Sequence, residues 1–284
     1  MDFENLIPQE FNLELSKWLH EDIPSFDIGG FVVGDKPSKA TLFGKSNAIL
    51  AGKPFFTRIF NLLDCSVEWL KEEGSQINPI EKIAFVTGNT NNILAGERLA
   101  LNIITRASGI ATFANELVLL AKKHNFNGRI AATRKTTPGF RLVEKYALLV
   151  GGADTHRMDL SSMVMLKDNH ITSCGSIANA IAKARKATSI WYKIEVECQS
   201  LEDAIEALDH SADIIMLDNF DATNAKETAK TLKNKYPKSV IELSGGISKN
   251  TITEYFSPDI DIISMSSLVT YAKPADLSLK LEKR

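Results

Sequence analysis

Seven short apolar runs from residue 130 onward each lead into residues able to do chemistry. The run at 130–133 leads into Arg134-Lys135, that at 147–150 into Gly151-Gly152 and then His156-Arg157, and that at 163–166 into Lys167-Asp168. The next ends on Glu197 (194–197), and the one after it (214–217) gives Asp218-Asn219. The last two, at 240–243 and 260–264, give Ser244-Gly245-Gly246 and Ser264-Met265-Ser266. Arg134, Lys135, Arg157 and Lys167, with Arg141 and His156 near them, repel one another unless a multiply charged anion neutralises them. Arginine suits planar carboxylate or phosphate groups because its fork binds two oxygens at once. Any one of these cations alone reads equally well as a surface charge or half of an ion pair.

Glu197 and Asp218 end successive runs, and two such carboxylates fit a divalent ion. Mg²⁺ typically takes one or two carboxylates and completes its shell with substrate phosphates and water. The alternation of Lys193, Glu195 and Glu197 leaves open a different role, a Lys–Glu ladder inside a barrel with no metal. Ser244-Gly245-Gly246-Ile247 offers a glycine turn through which backbone N–H groups can approach a phosphate. By itself that string equally fits a tight βα connection. His20, His124 and His210 fall on helical patterns, and Cys174 and Cys198 lack an evident acid–base partner, so all five read as ordinary positions.

The elements that must position these residues follow a rhythm. Strand starts in the last part of the chain recur roughly every 20 residues, the pattern of βα units in a parallel sheet or barrel. Helices are predicted at 200–209, 222–235 and 248–256. In a barrel of parallel strands every strand C-terminus opens on one face, so the scattered residues above converge on one pocket. The first ~110 residues read differently. A helix at 9–20 carries Phe11, Leu15, Trp18 and Leu19 on one face. Gly29-Gly30 reads as a turn into a strand at 31–33, and 40–51 as strand interrupted at Gly44. Pro54 opens a helix, 82–87 is a strand, and a long helix runs over 93–123, where Gly109 marks a break or a close packing point.

The chain of 284 residues balances 33 basic against 35 acidic side chains, for a net charge of −2. That argues against a general nucleic-acid binder. No stretch of about 18 apolar residues predicts a membrane span, and the acidic start lacks a signal-like apolar core. Cys65, Cys174 and Cys198 are an odd, widely spaced set that fits a reducing compartment and no zinc motif. A cytoplasmic protein is the expectation, with nuclear presence left open.

Several longer strings carry a resemblance. Thr133-Arg134-Lys135-Thr136-Thr137-Pro138-Gly139-Phe140-Arg141 is followed by Gly151-Gly152-Ala153-Asp154-Thr155-His156-Arg157 and Lys167-Asp168-Asn169-His170. Glu195-Val196-Glu197, Leu217-Asp218-Asn219-Phe220 and Ser244-Gly245-Gly246-Ile247 come after them in order. Together they resemble quinolinate phosphoribosyltransferase, most nearly its eukaryotic form, from Ala51-Gly52-Lys53-Pro54-Phe55-Phe56 onward. The resemblance implies a type II phosphoribosyltransferase of the α/β class. An N-terminal α/β sandwich domain (1–110, joined by 271–284) would accompany an incomplete six- or seven-stranded α/β barrel (111–270).

The implied reaction joins quinolinate and phosphoribosyl pyrophosphate, with Mg²⁺, to give nicotinate mononucleotide, pyrophosphate and CO₂ in NAD synthesis. Thr133, Arg134, Lys135, His156, Arg157 and Lys167 would surround the quinolinate carboxylates and the reacting centre. Glu197 and Asp218 would serve the metal and the ribose hydroxyls. Lys135, Lys167, Glu197 and Asp218 would be the catalytic set. Ser244, Gly245, Gly246, Ser264 and Ser266 would hold the 5-phosphate. Arg98, in Gly96-Glu97-Arg98, would reach a neighbouring subunit's site, which implies a homo-oligomer, a dimer or a hexamer built of dimers, with neither nucleic acid nor membrane as partner. Ala153 and Thr155 stand where many relatives have Gly and Asn, and Ser266 where a glycine is usual. The rivals are a same-fold transferase acting on another base such as nicotinate, a Schiff-base aldolase using Lys135 or Lys167, and a non-catalytic binding protein.

Overall fold

The computed structural model describes residues 3–283. In chain order its strands are β1 (Pro37–Gly44), β2 (Ala48–Ile49), β3 (Ser66–Trp69), β4 (Gln76–Ile77), β5 (Glu81–Asn89) and β6 (Arg129–Ala131). They continue as β7 (Val164–Leu166), β8 (Ile194–Cys198), β9 (Ile214–Asp218), β10 (Val240–Ser244), β11 (Ile262–Ser264) and β12 (Leu277–Leu281). The helices are α1 (Phe11–Asp22), α2 (Ile28–Val33), α3 (Lys53–Asn61), α4 (Thr90–Lys123) and α5 (Arg141–Val150). After them come α6 (Asp168–Cys174), α7 (Ile177–Ala187), α8 (Leu201–Asp209), α9 (Ala222–Lys235) and α10 (Ser267–Thr270). The chain divides into two compact units: one of residues 1–115, 137–152 and 271–284, the other of 116–136 and 153–270. A cut at 110 would fall inside α4, which runs unbroken for 34 residues.

The first unit holds an antiparallel sheet in the order β12-β1-β5-β3 and the small β2-β4 ladder. Phe55, Phe56, Ile59 and Phe60 of α3 and Ile103, Ile104 and Ala107 of α4 are fully buried in its core. Each of the buried Phe and Ile side chains contributes roughly 1.5–3 kcal/mol. Helix α4 meets the length and composition of a membrane span, with half of its most apolar stretch buried. Gly109 does not break it. A Cβ there would collide with the Lys273 carbonyl, so the glycine admits the C-terminal segment against the helix.

The second unit is an incomplete α/β barrel: six parallel strands in the order β6-β11-β10-β9-β8-β7, with β6 and β7 as its edges. Strands covered on both faces read as continuous apolar runs, and Ile215-Met216-Leu217 is buried throughout. The covering helices start where side chains cap them. Ser176 Oγ accepts from Asn179 N on α7, Ser200 Oγ from Asp203 N on α8, and Asp221 from Thr223 N and Asn224 N on α9. Each cap is worth about 1 kcal/mol.

Three expectations are corrected. The run at 147–150 is the last turn of α5 and not a strand, which makes six strands rather than seven. Val143 and Tyr146 give it helical spacing, and a short apolar run alone does not separate helix from strand. Residues 31–33 lie in α2, whose start is fixed by Asp27 accepting from Gly30 N at 2.8 Å. The predicted helix at 248–256 shrinks to one 3₁₀ turn over Ile252–Tyr255.

Candidate active site

Strand ends of the second unit build the site. Thr133, Arg134 and Lys135 follow β6, Lys167 follows β7, Glu197 lies in β8, and Asp218 ends β9. Ser244 ends β10 with Gly245 and Gly246 after it, and Ser264 ends β11 with Ser266 close behind. Together with His156 and Arg157 they line one cavity of about 520 Å³. Thus every barrel residue proposed from the sequence is present there. Arg98 and Arg141 belong to the first unit and are not part of this lining. Met165, Met216, Asn219, Ile247 and Met265 complete the wall. Their apolar or amide side chains carry no chemical signature in the sequence, and Met165 and Met216 lie within β7 and β9, so only their nearness to the strand ends could have found them.

The cations are held differently. Lys167 Nζ pairs with Glu197 Oε2. Its own backbone N–H donates to His170 Nδ1 at 3.1 Å, which gives His170 a positioning role. Arg134 Nε is buried with no hydrogen-bond partner, a donor left for something that enters the cavity. Burial, and then the Arg134 charge, pull the Arg157 guanidinium below its ordinary value, while Glu195 and Glu242 work against this. Arginine remains charged regardless.

The segment before Arg157 is unusual. Ala131 and Asp154 form a parallel bridge beside β6, and Asp154 Oδ1 accepts from His156 N at 2.8 Å. His156 then takes a positive φ of 55°, rare for a residue with a Cβ. Behind it, Glu195 and Glu242 are buried on β8 and β10. Burial first, and then the Glu242 charge, push the Glu195 carboxyl well above the usual carboxylate range. The Lys–Glu ladder is not formed, because Lys193 pairs with Asp213 at 3.4 Å.

Glu197 and Asp218 offer hard oxygen donors to a divalent ion. Asp218 Oδ2 accepts from Asn219 Nδ2 at 2.5 Å and from Gln199 Nε2 at 3.4 Å, which leaves Oδ1 available. Two carboxylates facing a cationic pocket fit Mg²⁺ that shares its shell with substrate phosphates. At the phosphate turn Gly245 and Gly246 have φ of 89° and 65°. A Cβ on Gly245 would run into Asn219 Oδ1. The chain leaves β10 in this turn and not directly in a helix, so an anion held there meets the N–H groups of the turn.

Comparison with known proteins gives the family. Residues 25–108 match the quinolinate phosphoribosyl transferase N-terminal domain, and residues 110–280 match the C-terminal domain. The chain is 47% identical to nicotinate-nucleotide pyrophosphorylase [carboxylating] of Dictyostelium discoideum, covering 100% of both chains. It is also 47% identical to the protein of that name from Rattus norvegicus, over 94% of this chain and 89% of the other. A solved nicotinate-nucleotide pyrophosphorylase from Francisella tularensis superposes with a TM-score of 0.91 at 34% identity, covering 99% of this chain and 100% of that one. With both domain models matched in order along an unbroken chain, the protein belongs to the quinolinate phosphoribosyltransferase family.

Proposed function

We propose that this protein transfers the phosphoribosyl group of phosphoribosyl pyrophosphate to quinolinate with loss of CO₂, forming nicotinate mononucleotide and pyrophosphate for NAD synthesis. The observation that carries the reading is the buried, unpartnered Arg134 Nε in a cavity that also holds the Lys135, Arg157 and Lys167 charges. A dianionic pyridine and a polyphosphorylated sugar supply the missing negative charge. Arg134, Arg157 and Lys135 bind and orient the two carboxylates, so that the pyridine nitrogen faces the ribose carbon. Pyrophosphate departs with the bonding electrons as the nitrogen attacks. The alkylated, positive ring then lets the adjacent carboxylate leave as CO₂, and the ring carbon takes a proton. Fixed cations already aimed at the site stabilise charge without reorganising.

Glu197 and Asp218 would hold Mg²⁺, which offsets charge on the leaving pyrophosphate. Lys167 orients Glu197 through their ion pair. The Ser244–Gly246 turn, Ser264 and Ser266 are placed to take the 5-phosphate, and Ser266 can offer a hydroxyl where a glycine would not.

A homo-oligomer is part of the proposal. Arg98 is exposed on α4, and Phe26, Ile28, Phe31 and Val32 expose a cluster of apolar side chains at and beside α2. Such clusters mark contact surfaces. A cytoplasmic setting, consistent with the thiol set, completes the reading.

The first test supplies purified protein with phosphoribosyl pyrophosphate, Mg²⁺ and either quinolinate or nicotinate. Nicotinate mononucleotide and CO₂ from quinolinate, with no product from nicotinate, are expected. Product from nicotinate alone would overturn the dicarboxylate assignment. Silence with both would favour a binding protein. Borohydride trapping with a carbonyl substrate checks the aldolase alternative.

A further inference from the structure

The buried Glu242 lies outside the cavity lining, yet it contacts a residue that lines it. Glu242 Oε1 sits 3.2 Å from His156 Nε2. On the other side of the ring, His156 Nδ1 accepts the backbone N–H of Arg157 at 2.7 Å. A nitrogen that accepts carries no proton, so the neutral ring bears its hydrogen on Nε2 and donates it to Glu242. Glu195 Oε2 stands 3.8 Å from the same nitrogen, beyond hydrogen-bond reach, and its carboxyl interacts with Glu242 instead. Glu242 is therefore the acceptor.

We propose that Glu242 is a positioning residue for dicarboxylate binding: by accepting from His156 Nε2 it fixes the imidazole that holds the Arg157 backbone, and so sets where the Arg157 guanidinium enters the pocket. The backbone supports this. His156 has φ of 55°, a conformation that persists only where surrounding contacts hold it. Here the contacts are Asp154 Oδ1 on its N–H, Arg157 N on its Nδ1 and Glu242 on its Nε2. Both ring nitrogens face protein partners, so His156 shapes the pocket through the groups it holds. The role needs a hydrogen-bond acceptor at position 242, not a charge. It rests on the quinolinate-transfer reading for its kinetic consequence and on the ring geometry alone for its physical one.

The two parts are tested separately. Glu242→Leu removes the acceptor while keeping an apolar fill, and Glu242→Gln keeps an amide oxygen that can accept. We expect Glu242→Leu to raise the quinolinate KM about tenfold or more, with the phosphoribosyl pyrophosphate KM within about twofold, as loss of a buried donor's partner predicts. Glu242→Gln should stay within about threefold of wild type for both substrates. A quinolinate KM that falls in both variants would show that Glu242 only dilutes the pocket's positive charge and would overturn the proposal. So would a tenfold rise in Glu242→Gln, or an unchanged Glu242→Leu.

Should Glu242→Leu fail to fold, Glu242→Gln and the wild-type ring carry the decision. Two-bond ¹H–¹⁵N correlation near neutral pH should show His156, assigned by its absence in His156→Asn, with Nε2 protonated and Nδ1 bare. An imidazolium, an Nδ1–H ring, or a pattern that changes on adding EDTA would overturn the proposal, the last by placing a metal among His156, Glu195 and Glu242. This measurement needs no turnover, so its outcome is independent of whether quinolinate is the substrate.

Discussion

Lys135 and Arg157 approach the same pocket with different support. Arg157 is partly buried behind His156, whereas Lys135 is exposed and is steadied through its backbone N–H, which donates to Thr133 Oγ1 at 3.1 Å. On the proposed reading, truncating Arg157 would leave a carboxylate of the dianion without its partner, which costs several kcal/mol in comparable charge pairs. Arg157→Ala should therefore lower kcat/KM for quinolinate by roughly 10²-fold or more. Lys135→Ala should lower it by at least about tenfold. Steady-state kinetics of both variants decide the matter, and near-normal turnover in the pair would remove the electrostatic account. Arg134, Lys135 and Lys167 were legible in the sequence because each follows an apolar run that is a parallel strand, whereas the run before Arg157 is the end of α5. Glu242 was not. It sits inside the run Val240-Ile241-Glu242-Leu243, and its partner His156 is 86 residues away. A lone acid within an apolar strand was the available signal, but nothing local names what it bonds.

Turns and caps set how far an element's sequence can be read. Gly245 follows β10 with φ of 89° and has Asn219 pressed against it. Alanine there meets both a left-handed backbone cost of roughly 1–2 kcal/mol and the Asn219 side chain. Gly245→Ala should raise the phosphoribosyl pyrophosphate KM about tenfold while moving the quinolinate KM less, a split readable from initial rates. In the first unit Glu73 accepts from Gly52 N at 2.6 Å and Lys53 N at 3.1 Å, capping α3. Burial nevertheless outweighs these bonds and holds the Glu73 carboxyl above its ordinary value. The folded state then binds a proton that the unfolded chain releases. This contribution is whole below the unfolded value and is lost as pH rises through the folded one. Glu73→Gln lacks that slope, so its urea stability should gain on wild type as pH rises above the ordinary glutamate range. A constant gap would exclude Glu73 as the source. The strand–helix alternation was legible for the same reason that α7, α8 and α9 are well capped. The run at 147–150 was misread because only tertiary packing separates a buried strand from the buried end of α5.

For the molecule as a whole, the shared-site proposal has a direct check. Arg98→Ala and Asp218→Ala chains should each be nearly inactive, yet regain up to about a quarter of wild-type activity when mixed and reassociated. A random mixture of two-fold dimers contains half heterodimers with one intact site each. No recovery from mixed, assembled dimers would place Arg98 outside the neighbour's site. The second unit was largely legible because it is one repeated βα step. The first was less so, because its sheet joins segments far apart in the chain: β12 pairs with β1, matching Leu281 to Ala40. That pairing has a consequence in time. About 190 residues separate the end of β5 from the start of β12, so on the ribosome β1 waits with one edge open. At synthesis rates of about 5–20 residues per second the wait is roughly 10–40 s. During it a nascent chain carries an exposed strand edge able to pair with its neighbours on a polysome. The final dozen residues thus decide whether each newly made molecule closes on itself or is captured by another.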